Sequence, residues 1–234
     1  MKHKMKNRPK GFTLVELLVV IAIIAVLAGI GTPLILRAQK QGALTEAGNN
    51  AKNIAGALNL FRQDKGSYPD IATHEAMVED GVDNLPETKD ANAYLAQLIV
   101  TGFTDTETSF YAKGVRGVTE KGDDITGPGE LLKKGENAFA YIMTEDDYAL
   151  AGDKSIMPLV IAPLRRTGEN PQFDPSPYGG KYVYGAVDGS SKQGDISDEG
   201  VPKSKGRDSL FEEGRNSLFG IDKPVIKAPT GFER

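Results

Sequence analysis

Apolar and polar positions divide the chain into three stretches. From Leu17 to Ile30 every residue is apolar or glycine, and one charge, Glu16, interrupts the 25 residues from Phe12 to Leu36. About 20 such residues suffice for a helix to cross bilayer hydrocarbon. The period then changes. Leu44, Ala47, Ala51, Ile54, Leu58 and Phe61 recur at gaps of three and four, which marks one face of an amphipathic helix. Asn49, Asn50, Lys52, Asn53 and Gln63 fill the other positions. Lys65-Gly66-Ser67-Tyr68-Pro69 then supplies a glycine and a proline, both helix stops. The pattern predicts one helix over residues 12–64.

The third stretch is weaker in pattern. Residues 70–90 are acidic and polar and read as loop. Ala91 to Gly102 has helical spacing at Tyr94, Leu95, Leu98 and Ile99, closed by Gly102. Residues 113–136, rich in Gly, Lys and Asp, read as an exposed loop. Residues 138–143 and 159–162 are short strand candidates, and Lys181 to Val187 is the clearest strand, ended by the turn pair Asp188-Gly189. Polar residues follow, then a short repeat, Gly206-Arg-Asp-Ser-Leu-Phe and Gly214-Arg-Asn-Ser-Leu-Phe. Two copies are too few for a solenoid. They read as a duplicated surface tail, or else as two anchors through Leu210, Phe211, Leu218 and Phe219. The final KPVIKAPTGFER reads as an exposed tail.

Charge sharpens the picture. Residues 1–11 carry five Lys/Arg and no acid, which leaves 23 basic against 32 acidic residues in the rest, a net of −9. Basic residues before the apolar span place the N-terminus in the cytoplasm and the body on the far side. The acidic body argues against a nucleic-acid partner, because phosphate binding needs a basic surface. There is no cysteine, so disulfides and cysteine metal sites are excluded. Enzyme motifs are missing too: no HExxH, GxSxG, P-loop or GxGxxG occurs. His3 lies in the leader, and His74 sits among polar residues as a solvated side chain. The pairs Asp123-Asp124 and Asp146-Asp147 are adjacent, and adjacent side chains do not converge on one substrate. An enzyme is not expected.

Glu16 is the position to explain, since a carboxylate in lipid is costly. Three readings compete. One is a signal peptide with small residues at Ala25 and Ala28. Another is a plain membrane anchor. In the third, cleavage after Gly11 makes Phe12 a new, positively charged N-terminus one helical turn from Glu16. The carboxylate of one subunit then meets the amine of its neighbour, and a charge costly alone becomes a registration device.

Lys10-Gly11-Phe12-Thr13-Leu14-Val15-Glu16-Leu17-Leu18 resembles the processing site of type IV prepilins and type II secretion pseudopilins. The resemblance covers about the first 55 residues. It implies a prepilin peptidase cutting between Gly11 and Phe12, N-methylation of Phe12, and an assembly role for Glu16. Pro33 fits the same pattern; with Gly29 and Gly31 it weakens one helical turn, and the resemblance implies that this turn unwinds in filaments. An ordinary proline kink is the alternative. The implied organisation is a leader over 1–11, a transmembrane and filament-core helix over 12–36, an amphipathic helix over 37–65 and a globular body over 66–234. The implied fold is α+β, a long N-terminal helix packed on a small antiparallel sheet.

Gly66-Ser67-Tyr68-Pro69 matches the family's loop after the helix. Pro177-Tyr178-Gly179-Gly180 followed by Asp188-Gly189 resembles the C-terminal signature of a pilin-like group, with Tyr178 in place of its histidine. Major pseudopilins bind calcium near this point, so Asp188, Asp195, Asp198 and Glu199 are candidate ligands; a solvated acidic loop is the plainer reading. The function implied is that of a structural filament subunit of a pseudopilus for protein secretion. The alternative is a minor pilin in adhesion, motility or DNA uptake. Implied partners are the prepilin peptidase, other pilin-like subunits and an inner-membrane platform driven by a cytoplasmic ATPase. The implied location is the inner membrane, single-pass, with the body in the periplasm.

Overall fold

The computed structural model describes residues 12–83, 85–86, 90–119, 121–122, 131–150, 154–168, 170–213, 217–219 and 224–232. The fold is α+β: a long N-terminal helix, α1 (Leu14–Lys65), precedes a five-stranded antiparallel sheet. The chain forms two compact units, Met1–Gln39 and Lys40–Arg234.

In the first unit the described residues are helical from Leu14, and all but Gly31 are exposed. The helix is long and apolar enough to cross a membrane. Side chains such as Leu14, Ile24 and Leu27 touch no core of their own. So large an apolar surface calls for lipid or for other subunits.

In the second unit α1 supplies its stripe to the core. All six residues of the expected face, Leu44, Ala47, Ala51, Ile54, Leu58 and Phe61, are buried. Gly66, at φ +83°, stops the helix in the left-handed region that glycine tolerates. The chain then folds back. The Tyr68 hydroxyl donates to Asn59 Oδ1 at 3.0 Å, and the Arg62 guanidinium lies 5.0 Å from the Tyr68 ring centroid.

Residues 70–90 are not all loop, because Ile71–Glu79 forms α2. Asp70 and Thr73 cap it reciprocally: Thr73 N donates to Asp70 Oδ1 and Asp70 N to Thr73 Oγ1, each at 2.8 Å. The helix expected from Ala91 is present as α3 (Ala91–Val100), capped by Asp90. A short 3-10 turn follows at Glu107–Phe110. The stretch expected as an exposed loop over 113–136 holds no helix or strand among its described residues. It is not wholly exposed, however: Val115, Leu131, Leu132 and Glu136 are buried.

The strands are β1 (Ala140–Met143), β2 (Pro158–Ala162), β3 (Leu164–Arg166), β4 (Gln172–Phe173), β5 (Lys181–Ala186), β6 (Ser191–Asp195) and β7 (Val225–Lys227). The main sheet has the order β6-β5-β2-β1-β7, and β3 pairs with β4 in a second, two-stranded sheet. β1 and β2 are buried throughout, which explains their unbroken apolar runs. The turn at Asp188-Gly189 joins β5 to β6 as expected, with Gly189 at φ +73°. The polar stretch after it is a strand, β6, rather than a loop.

Alternation along β5 separates two layers. A Cβ added at Gly185 would lie 2.4 Å from the Ala51 carbonyl oxygen, so Gly185 faces α1. Tyr184 and Tyr182, one and three places before Gly185 and so on the alternate positions, face away and stack with centroids 6.1 Å apart. Phe173 meets Tyr182 at 6.2 Å, Phe211 stacks on Phe173 at 6.1 Å, and Phe219 stacks on Phe211 at 5.7 Å. The repeat is therefore docked and is no surface tail. In each copy the serine hydroxyl accepts from the phenylalanine amide two residues on, Ser209 from Phe211 and Ser217 from Phe219, both at 3.1 Å. The same local turn aims Leu210, Leu218 and Phe219 into the core.

The final segment is not a free tail either. β7 pairs antiparallel with β1, Ile142 opposite Ile226, and Lys227 forms an ion pair with Asp147. Thr230 N donates to Asn92 Oδ1 at 3.0 Å, and Thr230 Oγ1 to Asp90 Oδ2 at 2.6 Å, which fasten the segment to the start of α3.

Burial raises the phenol pKa of Tyr141, Tyr178 and Tyr182, and pushes that of Tyr184 up to about 12. An unfolded tyrosine ionises near pH ~10. The folded state thus holds protons that the unfolded chain releases. This stabilisation is fully present below pH ~10 and is lost as pH rises through the folded values. Alkaline titration is expected to show tyrosinate absorbance and loss of far-UV circular dichroism rising together above pH ~10. Smooth titration near pH ~10 with the fold intact would show that these phenols are not held by the core.

Candidate functional site

The start of α1 is built from Thr13 and Glu16. The Glu16 carboxylate accepts from Thr13 N and from Thr13 Oγ1, both at 2.8 Å. Glu16 N donates back to Thr13 Oγ1 at 3.2 Å. This is a reciprocal capping box, in which each partner satisfies backbone groups that a helix start leaves open. A carboxylate in the first turn also suits the positive end of the helix dipole. Glu16 therefore has a local task within its own chain, which none of the three sequence readings included. The signal was present as Thr-x-x-Glu in Thr13-Leu14-Val15-Glu16. Phe12 beside it is exposed, and Gly11 lies outside the described residues.

Gly29, Gly31 and Pro33 lie within α1, whose helical assignment runs unbroken through Pro33. Proline has no N–H, so the Gly29 carbonyl receives no bond from it. One residue earlier, Thr32 Oγ1 donates to the Ala28 carbonyl at 2.7 Å. Nothing lies within 4 Å of a Cβ added at Gly29 or Gly31.

The calcium candidates do not come together. Asp188 accepts from Ser190 N at 3.0 Å and also from Ser190 Oγ, and lies 3.2 Å from Lys192 Nζ. Burial works against its ionisation, but these donors outweigh it and hold the carboxyl below the usual carboxylate range. Asp195 pairs with Lys181 at 2.8 Å, while Asp198 and Glu199 are exposed. Among the described residues no group of three or more His, Asp or Glu is placed to hold a metal.

Tyr178, in the histidine's place, is buried. Burial, then the nearby Glu46 and Tyr111, raises its phenol pKa. His74 is not a solvated loop residue, since it sits on α2 with Nε2 3.1 Å from the Pro86 carbonyl. Of the adjacent acids, Asp147 pairs with Lys227, Asp146 is exposed, and Asp123-Asp124 lie outside the described residues.

Residues 6–32 match the family described as the prokaryotic N-terminal methylation motif. The type II secretion system core protein G of Pseudomonas aeruginosa is 34% identical over 98 residues, 41% of this chain and 68% of that protein. The chain belongs to the type IV pilin and pseudopilin family. The type IV major pilin protein PilA of Myxococcus xanthus is 40% identical over 65 residues, 28% of this chain and 30% of that protein. PilA4, the type IV wide pilus major component of Thermus thermophilus, is 35% identical over 77 residues, 33% of this chain and 57% of that protein. No solved structure matches. The relatives named are a core protein of a secretion system and two pilus proteins, and the exposed apolar helix of this family member fits a membrane-anchored filament subunit.

Proposed function

We propose that the chain is a subunit of a type II secretion-like pseudopilus. What favours a pseudopilus over a pilus is the length of the match: 98 residues and 68% of core protein G against 77 residues and 57% of the pilus component PilA4, both longer than the 65 residues from Met1 to the end of α1. The subunit waits in the inner membrane with its N-terminus in the cytoplasm and its body in the periplasm. A prepilin peptidase cuts between Gly11 and Phe12, and Phe12 is N-methylated. The cut leaves the Thr13–Glu16 capping box whole.

In the filament the Phe12–Leu36 segments form an apolar core, so burial among subunits replaces burial in lipid. Glu16 exchanges part of its bonding with Thr13 for the Phe12 amine of a neighbour. The turn around Gly29, Gly31 and Pro33 unwinds there, because it already lacks one hydrogen bond and two side chains. An inner-membrane platform with a cytoplasmic ATPase supplies the work. No catalytic step belongs to this chain.

Mass spectrometry of the N-terminal peptide from native membranes, combined with secretion by a deletion strain, tests this reading. The expected peptide begins at N-methylated Phe12, and the deletion strain stops exporting proteins that cross the outer membrane. A chain starting at Met1, or cut after Ala28, would overturn the filament reading. Normal export with lost surface pili would move the subunit to a pilus.

A further inference from the structure

Residues 66–88 contain Asp70, Glu75, Glu79, Asp80, Asp83 and Glu87 and no lysine or arginine. Asp70 is buried and engaged in capping α2. Glu75, Glu79, Asp80 and Asp83 are exposed and form no ion pair among the described residues. Their placement works against α2. Glu75 and Glu79 are like charges one turn apart. Glu79 ends the helix and Asp80 caps it, at the negative end of the dipole, with no basic residue in the last turn. Val78 is half exposed among them. Local stability therefore does not account for this surface.

A complementary surface lies beside an earlier part of α1. Lys113 and Arg116 are exposed on a loop turned by Gly114 and Gly117, both at φ +81°. Neither forms an ion pair among the described residues. The loop is held to α1: Asn50 Nδ2 donates to the Tyr111 carbonyl at 2.8 Å, and Lys121 Nζ lies 3.5 Å from Glu46. From Asn50 to Lys65, after which α2 begins, α1 rises about 22 Å at ~1.5 Å per residue. The loop thus meets α1 at Asn50, whereas the segment leading into α2 meets it at Asn59 and Arg62, so the acidic and basic surfaces are separate patches.

We infer that they are two halves of one contact between successive copies of this chain, α2 of one subunit seated on the Lys113–Arg116 loop of the next. The inference rests on the filament reading above. Two unlike patches on one chain make a heterologous contact, and such a contact propagates into an open helical assembly when its rotation does not close a ring. Exposed charges of this kind fix partner and register more than raw affinity, while Val78 adds apolar area at the centre. A lipid surface would use the basic loop alone and leave α2 without a purpose.

The test is charge exchange in the full-length chain. Glu79→Lys with Asp80→Lys, and separately Lys113→Glu with Arg116→Glu, are each expected to lower sheared-filament yield about tenfold. The combination of all four is expected to recover yield to within about twofold of wild type, because the coupling lies between the two surfaces. Reversals that assemble like wild type, or a combination no better than its worse parent, would overturn the contact. Because the chain has no cysteine, Asp83→Cys with Lys113→Cys gives a second readout that needs no charge change. Oxidised filaments are expected to yield a ladder of cross-linked multimers, and its absence in assembled filaments would equally overturn the contact. If wild-type protein itself formed no filaments, the filament reading would fall instead.

Discussion

Glu16→Gln is expected to leave the protein inserted and cut, and to lower filament yield to below about a tenth of wild type, since only the charge complementarity between subunits is lost. The substitution is informative because of the capping box. Glutamine fills the third helical position of such a box nearly as well as glutamate. The hydrogen bonds with Thr13 can therefore persist, and what disappears is the charge offered to a neighbour's amine. Thr13→Val does the reverse: it removes the hydroxyl that donates to Glu16 Oε2 and keeps the carboxylate. It should frustrate the helix start in the waiting subunit but still allow assembly. Filaments counted from both strains separate the two tasks of Glu16. Normal filaments from the glutamine variant would leave the carboxylate with its capping task alone.

Gly185→Ala is expected to destabilise the body by about 1–3 kcal/mol, the usual cost of forcing atoms into a packed core. The added Cβ would lie 2.4 Å from the Ala51 carbonyl oxygen and 2.9 Å from the Ala55 Cβ. The first obstacle is helix backbone, which cannot rotate aside as a side chain can, so α1 must lift from β5. Gly185→Val should cost more and expose the stripe from Leu44 to Phe61. Gly56 provides the opposite sign in the same helix. Nothing lies within 4 Å of a Cβ placed there, and alanine in a helix interior is favoured over glycine by about 1 kcal/mol. At about 2–4 °C per kcal/mol for a body of this size, thermal unfolding of the two alanine variants should move in opposite directions. A Gly185→Ala protein melting like wild type would show that α1 does not seat at β5 as described.

The long helix was readable because each of its two halves repeats one signal many times. An apolar run of membrane length needs no partner to be recognised, and six residues at gaps of three and four define a face wherever that face docks. The helix over Ala91–Val100 and the strand over Lys181–Ala186 were readable for the same reason. The elements that escaped were short and polar. α2 is nine residues long and acidic, and only its Asp70-x-x-Thr73 cap marked it. β6 alternates between exposed and half-buried positions, so its sequence resembles a loop. The candidate site divided in the same way. Thr13 and Glu16 showed their relation at a spacing of three, whereas a calcium site over Asp188, Asp195 and Asp198 depended on where folding would carry each carboxylate.

The sequence by itself determined the membrane-length helix, its buried stripe and the motif that names its family, because these are local and periodic. Tertiary structure alone decided that Val225–Lys227 would be an edge strand against Tyr141–Met143. It alone decided that Phe211 would stack on Phe173, and that Asp195 would turn to Lys181. Each of these is a pairing between positions far enough apart in the chain that no local period records it. Their partners are chosen by which backbone edge, ring face or charge remains unsatisfied once the helix and the central strands have packed.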